Sequence, residues 1–440
     1  MNRLTLRPHR SARLARHLSD PLYRTGYLLA LGSGITAVLG LVFWILAARL
    51  YTPRVIGLNS VMISAALFIA NVCQLGLPAV LLRDLPRAGS RTRWLIGRSY
   101  LIMFSASLLL GVIAALTTPL WSHGLHFLGH APVWIGGFAL ACAFYTIFQS
   151  QDSVITAIGV PGWVPIENSS FSLAKLLILA AIAGASKFAG PFIAWNIPAV
   201  LAAIVITTLV FRRIRQHIPK ANLSERFSPR RFVQMAAANQ LALIFTYIVS
   251  LLMPAIVAAS TNATQAGYFY IPWSIGGGVM LVAINTATGL TVQSSMNPGD
   301  LPSLTRRTLL QTLRLIAPAA ILVTAIASYV LDLYGPRYSH HGGTLLRLMM
   351  LASIPNAVYV IGEALLRIQH RPTHLVLVQG GQSLIFLVLS FWLIRQMGID
   401  GVGLAFLISQ VGGALWLGVC VLRPTLKPGG DAAAQSRAPT

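Results

Sequence analysis

The chain reads as an all-α integral membrane protein, with about twelve transmembrane helices in two six-helix lobes related by a parallel internal repeat. Three observations carry that reading: a strongly apolar composition, apolar residues gathered into membrane-length runs, and turns that recur at a fixed offset. Of the 440 residues, 55% are hydrophobic and only 10% are charged, with a mean hydropathy of +0.71. Soluble proteins carry roughly 25% charged residues, and disordered chains are poor in hydrophobic ones, so both classes are excluded.

Crossing about 30 Å of hydrocarbon takes roughly 20 apolar residues in a helix. Runs of that size fall at 26–48, 56–82, 95–118, 132–158, 169–188 and 189–211, and again at 232–259, 266–292, 309–334, 344–366, 375–395 and 400–422. They are continuous rather than alternating, which selects helices over barrel strands. Domain organisation follows: a basic arm (1–25), an N-terminal six-helix lobe (26–211), a basic linker (212–231), a C-terminal six-helix lobe (232–422) and a disordered tail (423–440). Pro78, Pro198, Pro254, Pro318 and Pro355 fall inside these runs, as does Gly276-Gly277-Gly278, and predict kinks and close helix approaches.

Charge orients the spans. With the N-terminus inside, inner segments carry 25 of the 33 Lys and Arg residues and outer loops carry five, Arg49, Arg54, Lys187, Arg337 and Arg395. Short loops rich in Lys and Arg stay on the cytoplasmic side, so both termini are expected inside. The formal charge of +23 is then a topology marker with some attraction for anionic inner-leaflet lipid, and no nucleic-acid partner is implied. The arm is followed by too long an apolar run for a signal peptide. Cys73, Cys142 and Cys420 all sit in apolar runs, which implies no disulfide framework.

A gapless offset of 210 residues superposes the two halves. The turn from Ala48 to Gly57 falls on Ala258 to Gly267, the turn Gly159 to Gly162 falls on Gln369 to Pro372, and the stop Arg212-Arg213 falls on Leu422-Arg423. Each half has an even number of spans, so the halves share one orientation and are related by an axis along the membrane normal. Parallel-repeat transporters have that plan, with a central cavity between their lobes.

Chemistry is sparse. No G-x-x-x-x-G-K-[ST] phosphate loop occurs, no cofactor is implied, and no two acidic residues are closer than Asp152 and Glu167. The longest outer loop, about Pro119 to Ala131, is too small for a catalytic domain, so the chain is expected not to be an enzyme. His123, His126 and His130 are spaced for one helical face, either as metal ligands or as plain interfacial loop histidines; without acidic or Cys companions they identify no metal site.

Ionisable residues within spans are costly and are functional candidates by default. Span 4 ends with Gln149, Gln151 and Asp152, and Glu167 and Lys175 follow about two turns apart. They fit either a polar lining inside the N-terminal lobe, coupled to protonation, or a structural ion pair. Arg314 either snorkels to the inner boundary or meets substrate. Glu363 and Arg367 have the order of a local i,i+4 pair. Arg49 and Arg347, near outer span ends, either receive an anionic group or anchor the interface.

The stretch from Phe43 to Pro53, FWILAARLYTP, followed by Gly57, Gln74-Leu75-Gly76-Leu77 and Arg83-Asp84-Leu85-Pro86-Arg87, resembles polysaccharide-biosynthesis membrane proteins. These form the oligosaccharide-flippase branch of the multidrug/oligosaccharidyl-lipid/polysaccharide exporter superfamily. Gln151-Asp152-Ser153, Trp163-Val164-Pro165 with Lys175, and Tyr334 to Tyr338 with Leu345-Leu346-Arg347 extend the likeness over nearly all of the spans. The resemblance implies alternating access and translocation of a polyprenyl-diphosphate-linked oligosaccharide, a precursor of polysaccharides such as lipopolysaccharide O-antigen. It implies a bacterial cytoplasmic membrane and working partners among polysaccharide polymerases and glycosyltransferases. Relatives place cationic side chains in the cavity to meet the diphosphate; the counterparts here are Lys175 and Arg314, with Arg49 and Arg347 at the outer mouth. The competing expectations are an ion-coupled drug antiporter using Asp152 or Glu363, a glycan ligase or polymerase built on the three histidines, and a non-transporting scaffold.

Overall fold

The structure, a computed structural model, describes residues 21–121, 123–184, 188–216, 240, 243–296, 300–369 and 371–426. Most of the arm, most of the linker and the tail beyond Leu426 lie outside the described residues. The described chain is helical, with no strand among the described residues. Eleven helices are long and apolar enough to cross a membrane, and a bent pair makes a twelfth.

The spans of the N-terminal lobe are α1 (Pro21–Leu50), α2 (Pro53–Cys73), α3 (Thr92–Leu116), α4 (Pro132–Ala157), α5 (Trp163–Ile182) and α6 (Gly190–Gln216). Those of the C-terminal lobe are α7, a pair Leu243–Leu251 and Met253–Ser260 bent by 46°, then α8 (Ala263–Met296), α9 (Leu301–Ala325), α10 (Pro336–Ile368), α11 (Pro372–Met397) and α12 (Ile399–Leu417). Inner and outer keep the sense given by the basic-residue bias.

Several boundaries differ from the hydropathy reading; α9 and α10, for example, start at Leu301 and Pro336, each eight residues before its apolar run. The second run ends early, because Leu75 (φ 53°) and Gly76 (φ 68°) take left-handed backbone and break the helix. Pro78 then opens a separate short helix, Leu77–Asp84, instead of kinking a span. Helix α5 starts at Trp163, so Glu167 lies inside it; the polar Glu167-Asn168-Ser169-Ser170 had masked a full turn. The ninth run breaks at Ile326, after which Ala327–Asp332 forms a short helix of its own. At the C-terminus the helical path continues through a π-turn at Gly418–Leu422 and a last turn at Arg423–Leu426, where an unstructured tail was expected. Pro254 stands just after the bend in α7, and Pro198, Pro272, Pro318 and Pro355 stand inside helices.

Packing separates core helices from lipid-facing ones. The most apolar windows of α2, α10 and α4 are 72%, 67% and 56% buried, against 17–33% for the others, so these three form the interior. Outward-facing Leu101, Leu109, Leu177, Leu377, Leu384 and Leu415 are exposed; lipid, as apolar as they are, takes the place of a protein partner.

The internal repeat has a physical consequence at the seam. Helices α2 and α8 begin 210 residues apart, at Pro53 and Ala263, and they pack against each other across the lobe boundary. Their repeat-related glycines meet: a Cβ on Gly57 would lie 1.7 Å from the Ala263 carbonyl oxygen, and one on Gly267 would lie 2.1 Å from the Pro53 carbonyl oxygen. Only hydrogen at both positions lets the backbones approach this closely.

Candidate functional site

Three features of the seam and of the adjoining N-terminal lobe make up the candidate site: an inner polar cavity, a caged lysine and a pair of inter-lobe clasps.

The cavity, about 330 Å³, is lined by Asn71, Gln74, Tyr145, Phe148, Gln149, Asp152 and Asn168. Helical periodicity explains the set, because Tyr145, Phe148, Gln149 and Asp152 recur three or four residues apart and share one face of α4. Gln151 falls on another face. It is fully buried and donates from Nε2 to the Ala203 carbonyl at 2.8 Å and to Thr207 Oγ1 at 2.9 Å, tying α4 to α6. Asn71 and Gln74 come from the broken end of α2, and the left-handed turn after Gln74 leaves its amide free to donate to Gln149 Oε1 at 3.0 Å. Asn168, from α5, donates to both Asp152 oxygens at 3.2 and 3.4 Å.

Lys175 lies seven residues beyond Asn168 on the same face of α5, about 10 Å further along the axis. It is 3% exposed, and its ammonium sits over three rings, 4.0 Å from Trp195, 5.1 Å from Phe171 and 5.3 Å from Phe43. Such contacts stabilise a desolvated cation by about 2 kcal/mol or more, well short of the several kcal/mol that burying an ion costs. Among the described residues no carboxylate lies within ion-pair distance of it. Glu167 is also buried, and neither carboxylate oxygen has a hydrogen-bond partner. The expected structural ion pair tying span 4 to span 5 is absent among the described residues: Lys175 pairs with neither Asp152 nor Glu167. The cage continues into the other lobe through Trp44, whose ring stands 4.5 Å from Tyr270 of α8.

Clasps cross the seam at both ends. At the outer end Arg49 of α1 donates from Nη2 to the Asp332 carbonyl at 2.8 Å and from Nε to the Leu333 carbonyl at 2.9 Å. These carbonyls close the short helix Ala327–Asp332, where a cation is favoured by the helix dipole. At the inner end the Gln240 side chain takes a hydrogen bond from the Gly76 amide at 2.9 Å and donates to the Asn71 carbonyl at 2.8 Å. Asn71 thus borders both the cavity and the inner clasp.

The other sequence candidates lie elsewhere. Arg347 is exposed on α10, with Nη2 3.5 Å from Ser328 Oγ, and Arg314 is exposed on α9; neither joins Lys175. Glu363 forms the expected local pair with Arg367 at 3.2 Å. The rings of His126 and His130 stack, and the side chain of His123 lies outside the described residues. No group of three metal-ligating side chains occurs among the described residues. Asn71, Gln74, Asn168, Gln240 and the three rings around Lys175 do not stand out in the sequence as site residues. Isolated carboxamides, two inside the second apolar run and one just before the fifth, are the available signal for the first three.

No family model and no curated protein matches the sequence. Solved structures do match in fold. An inward-closed structure of the lipid II flippase MurJ superposes with a TM-score of 0.73 at 13% identity, over 91% of this chain and 90% of that one. The chain shares that structure's fold. An inward-facing multidrug resistance MATE transporter of the MOP superfamily gives 0.69 at 13% identity, over 92% and 96%. A MOP superfamily transporter from Pyrococcus furiosus gives 0.64 at 13% identity, over 96% and 100%. At these identities the likeness establishes the fold, two lobes of six helices each, and leaves the function to be argued from this chain's own residues.

Proposed function

We propose that the chain is a transporter rather than an enzyme, and that it flips a lipid-linked oligosaccharide across a bacterial cytoplasmic membrane by alternating access. The observation that carries this reading is the sequence of surfaces through the N-terminal lobe and across the adjoining seam. A hydrogen-bonding cavity lies at the inner end, a buried cation with no counter-ion among the described residues stands about two turns of α5 further along, and inter-lobe clasps stand at both ends. A glycan carried through hydrocarbon would leave each hydroxyl unpaired at about 2–7 kcal/mol; the amides of the cavity replace water for it. Lys175 is the group that receives the diphosphate once the aromatic cage opens, because an uncompensated buried ammonium gains most from a new anion. Both termini face the cytoplasm in this reading, and polymerases or glycosyltransferases of polysaccharide assembly supply and consume the cargo. Depletion of the protein is expected to strand lipid-linked glycan in the inner leaflet, where a membrane-impermeant lectin added to spheroplasts does not reach it. Unchanged lectin labelling on depletion contradicts the proposal.

A second reading, an ion-coupled small-molecule antiporter, draws support from the carboxylates of Asp152 and Glu167, which have no cationic partner within ion-pair distance among the described residues. Glu363, held by Arg367, is the weaker coupling acid. Drug sensitivity unchanged on deletion, together with inner-leaflet glycan accumulation, separates the two.

A further inference from the structure

We propose that the inner cavity is a saccharide subsite that selects neutral, hydroxyl-rich sugars over uronic or phosphorylated ones. This rests on the flippase reading and deepens it by naming the class of sugar.

The hydrogen-bond inventory carries the inference. A carboxamide offers one acceptor oxygen and two donor hydrogens, and a carboxylate offers only acceptors. Inside the cavity several donors are already used. The Asn71 amide donates to the Leu67 carbonyl at 2.7 Å, Gln74 donates to Gln149, and Asn168 donates to Asp152 and to the Val164 carbonyl at 3.1 Å. Left over as acceptors are Asn71 Oδ1, Gln74 Oε1, Asn168 Oδ1 and the remaining lone pairs of Asp152, and as donors one N–H each of Asn71 and Gln74 and both N–H groups of Gln149 Nε2. The lining thus offers both donors and acceptors, so the complementary ligand carries groups that can do both. A sugar hydroxyl both donates and accepts; a phosphate or carboxylate on the ligand can only accept.

Charge points the same way. Among the described residues Asp152 is the one ionisable group of the lining apart from the Tyr145 phenol, and no described Lys, Arg or His lines the cavity. Lys175 is held two turns away inside its cage of rings. An anionic sugar would face the Asp152 carboxylate without compensation, and like charges at close quarters in a protein are disfavoured. Tyr145 and Phe148 add ring faces beside the amides, the apolar surface against which the C–H face of a pyranose packs. At about 330 Å³ the cavity lies at the low end of the ~300–1,000 Å³ range of small-molecule sites, room for a terminal sugar rather than a whole oligosaccharide. Because Asn71 also takes the Gln240 clasp through its carbonyl, an occupied subsite borders the inner gate directly.

The test is saturation-transfer NMR on the detergent-solubilised full chain, with methyl β-glucoside and methyl β-N-acetylglucosaminide as neutral probes and methyl β-glucuronide as the acidic one. Neutral glycosides are expected to bind at least tenfold more tightly than the glucuronide. Gln149→Leu should weaken neutral binding about tenfold, and Asp152→Asn should close most of the neutral-to-acidic gap. Gln149→Glu keeps the reach of the side chain, so it covers the case in which the Leu variant fails to fold; it should widen the gap. Glucuronide binding as tight as the neutral probes, no transfer from any neutral glycoside, or a gap unmoved by Asp152→Asn overturns the subsite. Lectin labelling in spheroplasts is independent of this readout. Translocation without glycoside binding refutes the subsite alone, and glycoside binding without translocation refutes the flippase reading alone.

Discussion

Gly57→Ala is the perturbation most directly tied to the seam. The added methyl carbon would stand 1.7 Å from the Ala263 carbonyl oxygen and 2.8 Å from the Gly267 nitrogen. Real Cβ contacts essentially never fall under 3.0 Å, so α2 and α8 must part by more than an ångström at their outer ends. Both obstructing atoms belong to backbone, which cannot rotate aside. Overpacking of this kind costs typically about 1–3 kcal/mol. Taking ~2 kcal/mol at 1.4 kcal/mol per decade, the outer-closed arrangement loses roughly 30-fold relative to one in which the ends are apart. If that opened form is about 1% of the unmodified protein, it rises to about a quarter of the variant. Spin labels at Leu50→Cys and Ser260→Cys, both exposed at the outer end, report the separation in a Cys420→Ser background. Cys420 is the exposed native cysteine, while Cys73 and Cys142 are buried. The distance distribution should gain a longer component in Gly57→Ala, and adding Gly267→Ala should contribute less than the first change, because one separation relieves both contacts. A distribution identical to that of the unmodified protein, with an unshifted unfolding temperature, would refute the role of the glycine pair in closing the outer end.

Other perturbations address the remaining parts of the site. Arg49→Ala removes two charged hydrogen bonds across the outer mouth; such bonds are worth about 1.5–3 kcal/mol each when shielded and less at an exposed site, so the same labels should show a smaller opening than in Gly57→Ala. Gln240→Leu unpairs the Gly76 amide and the Asn71 carbonyl, and should raise the reactivity of an inner-end probe such as Gln74→Cys toward a soluble maleimide several-fold. Lys175→Met keeps volume inside the aromatic cage while removing an unpaired buried charge; it should leave thermal stability equal or higher and abolish glycan translocation, and retained translocation would exclude Lys175 from cargo handling. Gln151→Leu breaks the α4–α6 tie and should cost about 0.6–1.7 kcal/mol, the range for inter-helical hydrogen bonds in membranes, measured as a lower unfolding temperature with glycoside binding retained.

Much of the fold is legible in the sequence, because a bilayer imposes length and hydropathy on every span. The offset of 210 residues even aligned Gly57 with Gly267, the two glycines that meet across the seam, although spacing alone does not say that repeat-related residues touch. What stayed hidden depends on backbone angle or on distant partners. The end of α2 at Leu75-Gly76 lies inside an apolar run, where hydropathy is blind to a positive φ. The start of α5 was obscured by Glu167 and Asn168, polar residues accommodated because Asn168 meets Asp152 inside the protein. Arg49 read as a mouth or anchor residue, and its partners are carbonyls 283 and 284 positions away. Lys175 was visible as a charge in a span, but the rings of Phe43, Phe171 and Trp195 converge on it only in three dimensions.

Reconstitution tests the central claim most directly. Purified protein in liposomes, loaded with a fluorescent polyprenyl-diphosphate-linked oligosaccharide, should expose the glycan to an external glycosidase beyond the fraction placed in the outer leaflet at preparation. The same liposomes with Lys175→Met should not. Full protection of the inner-leaflet glycan in the presence of folded, unmodified protein would contradict the flippase assignment.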